Sequence, residues 1–100
     1  MKDFFELEVL IEEWAEEKGI LEYATKKNLS EKTLEKVLWF MSVIDEDNRE
    51  EIKYGIGDII VTLIIQAKMQ GITIEECLNA AYDVISKRTG KMINGQFVKD

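Results

Sequence analysis

Two stretches of this chain are apolar on consecutive positions: Val37-Leu38-Trp39-Phe40-Met41 and, broken only by Thr62, Ile59 through Ile65. Five or seven consecutive positions go all the way round a helix, and a helix that is hydrophobic all round must be buried all round. A chain of 100 residues offers few neighbours for that purpose, because at this size only about 60–65% of the unfolded surface is hidden on folding. Covalent staples are absent. The single cysteine, Cys77, has no partner in the chain, and with no histidine neither Cys/His zinc sites nor Ser-His and Cys-His nucleophile pairs can be assembled. A second copy of the chain is therefore expected to cover the remaining surface, giving a homo-oligomer, dimer or tetramer, joined through these two helices.

Zero prolines and six glycines suit helices separated by short turns. Phe4, Leu7, Leu10 or Ile11, and Trp14 form one stripe of a predicted helix over 3–18, ended by Gly19. Residues 20–29 read as a connection. Ser30 caps a second helix over 31–44, closed by the acidic turn Asp45-Glu46-Asp47. Asn48 and Glu51 stand at capping-box spacing before a third helix that runs to Gln70, and Thr73 and Glu76 repeat the pattern before a fourth over 74–88. Residues 89–100 lack helical periodicity and read as an extended tail with turns at Gly90 and Asn94-Gly95. The expected fold is thus a single all-α domain over 1–100, a four-helix bundle with a short extended C-terminal tail.

Charge is distributed unevenly. Residues 1–23 carry eight acids against Lys2 and Lys18, a balance of −6, and the remaining residues carry only −1 of the total of −7. Without a basic stripe, binding to nucleic acid is not expected, since that affinity comes mainly from neutralising phosphates. The apolar segments lack the basic polar face of a membrane-surface helix and fall short of a membrane span. A soluble, cytoplasmic protein is expected.

Several segments resemble a known family. Trp14-Ala15-Glu16-Glu17-Lys18-Gly19-Ile20-Leu21, Arg49-Glu50-Glu51-Ile52-Lys53, Ile56-Gly57-Asp58-Ile59-Ile60-Val61-Thr62-Leu63, the Gly71-Ile72 turn and Gly90 through Lys99 look like the MazG-like nucleotide pyrophosphohydrolases. The resemblance implies an all-helical oligomer that uses Mg²⁺ to cut nucleoside triphosphates into monophosphate and pyrophosphate. It also implies a metal site of the form Glu-Glu-x-x-Glu on one helix and Glu-x-x-Asp on the next. Positions one, two and five of the first motif, and one and four of the second, share a helix face, so their carboxylates can hold Mg²⁺ by oxygen ligands.

Counting from Ala24-Thr25 and back from Arg49 places the first motif at Glu35-Lys36-Val37-Leu38-Trp39, and the second reads Gly55-Ile56-Gly57-Asp58. Only Glu35 and Asp58 match as metal ligands. Lys36, Trp39 and Gly55 stand where the family has acids, which predicts Mg²⁺ binding that is weak or absent. Glu31 and Glu51, each one turn from a motif position, are candidate helpers in a shifted carboxylate set. By resemblance, Lys87, Arg88, Lys91 and Asn94 help hold phosphates, with solvated cations at a helix C-terminus as the plainer reading. Trp39 and Tyr82 either stack on a base or pack in the core. Two functions follow: a catalytically impaired relative that binds a nucleotide or a partner protein, or an active Mg²⁺-dependent pyrophosphohydrolase with a rearranged acid set.

Overall fold

The computed structural model describes residues 1–100 and is mostly helical. In chain order it contains α1 (Phe4–Glu17), a single-turn α2 (Ile20–Tyr23), α3 (Lys26–Val43), α4 (Arg49–Met69) and α5 (Ile74–Ile85). Two short strands follow, β1 (Gly90–Ile93) and β2 (Gln96–Lys99). Local chemistry explains most of the boundaries. Asp3 caps α1 by accepting from the Glu6 N–H at 2.9 Å, and Gly19, at φ 78°, takes the left-handed conformation that ends it. Asn48 accepts from the N–H groups of Glu50 and Glu51, and Thr73 from that of Glu76, so the two expected caps stand where they were read.

Several boundaries differ from the sequence reading: α2 forms within the expected connection over 20–29, and α5 ends at Ile85 rather than at 88. The second long helix starts at Lys26, because Thr25 and Asn28 exchange side-chain and backbone hydrogen bonds in a capping box. Ser30 instead donates back to the Lys27 carbonyl at 2.7 Å, as a helix-interior serine does. The tail is extended as expected, with its turn at Asn94-Gly95, and its two arms pair: β1 and β2 form an antiparallel hairpin with Ile93 opposite Gln96. Asn94 and Gly95, at φ 52° and 80°, supply the two positive-φ residues that a tight two-residue hairpin loop requires.

The core is thin. Only nine of the hundred residues are buried, and the main cluster is Ala15, Leu29 and Ile65 where α1, α3 and α4 meet. Ala15 is wholly enclosed, its small side chain allowing α1 to lie close to α4. α3 and α4 form the most extensive helix pair. Halfway along it the Thr62 hydroxyl donates to the Ile59 carbonyl and accepts from Thr33 at 2.8 Å. α4 and α5 meet at 101° after Gly71, whose φ of 76° again takes the left-handed region. No single helix is long and apolar enough to cross a membrane.

Of the seven-residue run on α4, Thr62, Ile64 and Ile65 are buried while Ile60 and Leu63 remain exposed. On α3, Leu34, Leu38 and Met41 are exposed as well. One chain therefore hides only part of either helix.

Candidate functional site

α3 and α4 lie side by side, and with α2 and the end of α1 they enclose a cavity of about 540 Å³. Its apolar lining includes Trp14, Ile20, Leu29, Val61 and Ile65, and its polar lining includes Asn28, Glu31, Lys32, Glu35, Lys36 and Asp58. The size falls within the range of small-molecule sites, roughly 300–1,000 Å³. Glu35 and Asp58, the two residues that match the metal motif, thus reach the same cavity from facing helices, together with Glu31. Glu51 does not line it, and one of its carboxylate oxygens is enclosed without a hydrogen-bond partner.

Of the three carboxylates that line the cavity, Glu35 and Asp58 are already engaged. The Lys36 ammonium lies 3.1 Å from the Asp58 carboxylate, and Lys32 lies 3.2 Å from Glu35 one turn earlier. The hydrogen bond from Lys36 to Asp58, and the charge of Asp58 behind it, hold the Lys36 ammonium above the usual lysine pKa. A raised lysine pKa stabilises the fold at all pH values below the ordinary lysine range, and the contribution is lost only as pH climbs through the raised value. At neutral pH the pair is fully formed.

The other two departures from the motif also meet. A Cβ on Gly55 would lie 2.8 Å from Phe40 Cδ1 and 3.2 Å from Trp39 Cζ3, so glycine is what lets these aromatic rings lie against α4. Trp39 in turn packs edge-on against Tyr54, with ring centroids 6.1 Å apart. Lys36 answers Asp58, and Trp39 and Phe40 answer Gly55. This predicts that Gly55→Ala costs about 1–3 kcal/mol through overpacking, read as a lower urea midpoint at unchanged slope. A midpoint equal to that of wild type would show the rings to move aside freely.

These contacts bear on the fit to a divalent ion. Mg²⁺ demands near-octahedral oxygen ligands at about 2.1 Å, but no three carboxylate or thiolate side chains are grouped as an ion would require. Glu35 turns toward Lys32, and Asp58 is held by Lys36. As arranged, each of the two motif carboxylates faces a lysine ammonium.

The residues tied to phosphate by resemblance lie elsewhere. Lys87 and Arg88 follow α5, Lys91 is on β1 and Asn94 is in the hairpin loop; all are exposed, and none lines the cavity. Tyr82 is exposed on α5 near Phe4 and Leu78. Trp39 stands outside the lining, against Tyr54. Sequence reading missed Asn28, Lys32 and Trp14 as cavity residues. The short α2, which folds the chain back from α1 toward α3, brings them together, and nothing local signals that reversal. Compared with known proteins, the chain matches no family model, no curated protein and no solved structure.

Proposed function

We propose that the chain is a MazG-like relative, a self-associating helical domain whose metal site has been rebuilt into a metal-poor ligand cavity. In this reading it binds a nucleotide or a partner protein without turnover. The observation that carries the reading is the Lys36–Asp58 ion pair, 3.1 Å long, in the cavity where the family resemblance would put a divalent ion. A fixed ammonium beside the remaining acid of the second motif supplies the positive charge locally and opposes the entry of a cation. The complementary packing of Trp39 and Phe40 against Gly55 supports the same view, since the losses of motif acids compensate one another.

For a nucleotide, the apolar side made by Trp14, Ile20 and Leu29 suits a base, Asn28 offers an amide for its edge, and Lys32 is the cation at hand for phosphate. A second reading, an active Mg²⁺-dependent pyrophosphohydrolase, is favoured by two observations. Glu31, Glu35 and Asp58 share one cavity, and Glu51 one turn before Gly55 keeps an unsatisfied oxygen.

One experiment separates them. The purified protein is incubated with each common nucleoside triphosphate and Mg²⁺ or Mn²⁺, pyrophosphate is assayed, and nucleotide binding is measured by calorimetry. The proposed function predicts no pyrophosphate together with saturable binding that weakens on Lys32→Ala. Steady pyrophosphate release that disappears in Asp58→Asn would establish the second reading instead.

A further inference from the structure

The cavity between α3 and α4 is lined by two polar side chains whose bonding capacity the fold does not use up. Asn28 and Glu31 both line it. They stand three residues apart on α3, and residues at that spacing are neighbours on one helix face. What each can still do is fixed by what it already does.

Asn28 has half of its amide committed. Its Oδ1 accepts the Thr25 N–H at 3.4 Å, one arm of the capping box. A backbone N–H can only donate, so the amide oxygen must be the atom turned toward it, and Nδ2 is left as a donor. Glu31 is the complement. The ion pairs of the chain are Lys32–Glu35, Lys36–Asp58 and Lys53–Glu50. Glu31 is therefore the one cavity carboxylate that no lysine engages, and an ionised carboxylate only accepts, through two oxygens. Side by side, α3 thus offers one N–H donor and one double acceptor.

A base edge that meets both groups must present an acceptor followed by two adjacent donors. Among the common bases guanine alone does: O6 accepts, and N1–H and the N2 amino group donate. Adenine and cytosine put an amino donor against the Asn28 amide and a ring nitrogen lone pair against the carboxylate. Uracil and thymine match at their O4 and N3–H, but their O2 then faces the second carboxylate oxygen. Two parallel N–H bonds to one carboxylate are charge-assisted and geometrically specific, and Trp14 in the same lining offers a ring on which any base can stack. We propose that this cavity selects guanine, Glu31 accepting from N1–H and the N2 amino group while the Asn28 amide donates to O6. The inference rests on the reading of the cavity as a nucleotide site; it adds the base, and it gives Glu31 a task other than holding a metal ion.

The test is calorimetric titration of the full chain, without divalent ions, with the ribonucleoside monophosphates of guanine, hypoxanthine, adenine, cytosine and uracil. All share one sugar phosphate, so differences between them report the base. The guanine nucleotide should bind about tenfold or more tightly than each of the others, with hypoxanthine, which lacks only the N2 amino group, among the weaker ligands. Two variants assign the contacts. Glu31→Gln, at an exposed position, should cut the guanine-to-adenine affinity ratio about tenfold. Asn28→Asp keeps an oxygen for the Thr25 N–H, and so keeps the cap, but replaces the donor by an acceptor; the same ratio should fall by a similar factor. Circular dichroism checks that both variants remain helical. Similar affinities for all the bases, or tightest binding of another base, would overturn the choice of guanine and leave the nucleotide site standing. A guanine preference that survives Glu31→Gln would overturn the assigned contacts. Absence of binding to every nucleotide would overturn the nucleotide reading and this inference with it.

Discussion

Lys36→Glu is expected to turn the cavity between α3 and α4 into a cation site. In the native chain the ammonium lies 3.1 Å from Asp58. With glutamate there, three acids of the expected motifs, at 35, 36 and 58, face one space, and the local charge falls by two units. Like charges about 4 Å apart repel by about 4 kcal/mol at an effective dielectric of 20, reduced by the partial exposure of both groups. Without divalent ions the variant should therefore melt about 5–10 °C below wild type, corresponding to roughly 1–2 kcal/mol in a domain of this size. An ion that binds only the folded state restores stability in proportion to the logarithm of its concentration. Millimolar Mg²⁺ or Mn²⁺ should thus recover the loss in the variant and leave wild type unchanged. Calorimetric titration should give affinity about tenfold or more above wild type. If the folded variant takes up no more ion than wild type, the placement of the first motif at residues 35–39 is wrong.

The second large effect concerns the attachment of α5. Glu8 is 5% exposed, and its carboxylate accepts the Ile74 N–H at 2.9 Å, linking α1 to a helix that begins 66 residues later. A negative charge at a helix N-terminus is favourable, and hydrogen bonds to charged groups contribute about 1.5–3 kcal/mol. Glu8→Ala should cost about 2–3 kcal/mol, because it also leaves a backbone donor without its partner. In a domain of this size that is a fall in Tm of about 10–20 °C. Glu8→Gln, which keeps an acceptor and loses the charge, should fall between the two. Hydrogen exchange gives a second readout: protection of α5 amides should drop more than that of α3 and α4, since α5 has little else to hold it to the body. A change in Tm of less than about 2 °C in the alanine variant would reduce this contact to an incidental one.

The difference between these two residues reflects what a sequence can express. Glu35 and Asp58 are named as a pair by the resemblance, and the structure brings both to one cavity. Glu8 is not. In sequence it is one of eight acids in the first 23 residues, and only the return of α5 to α1 distinguishes it from its exposed neighbours. The same limit explains the starts and ends of elements. Asn48 and Thr73 are legible caps because serine-like and asparagine side chains bond to amides two or three residues away. Thr25 is hard to read as a cap because its box is closed by Asn28 rather than by the usual glutamate or glutamine. The loop Asn94-Gly95 was legible as a turn, but its two flanking strands of four residues are too short to show an alternating pattern.

Taken by itself, the sequence determined the helical character, the long apolar runs on α3 and α4 and the acidic first segment. All of these are local: they depend on the identity and period of residues close together in the chain. The tertiary structure alone decided that Lys36 pairs with Asp58, that Trp39 and Phe40 pack against Gly55, and that Glu8 holds α5. The physical reason is that periodicity sets which way a side chain faces on its own helix. What it meets there depends on the angles between helices, and those follow from packing among residues distant in sequence.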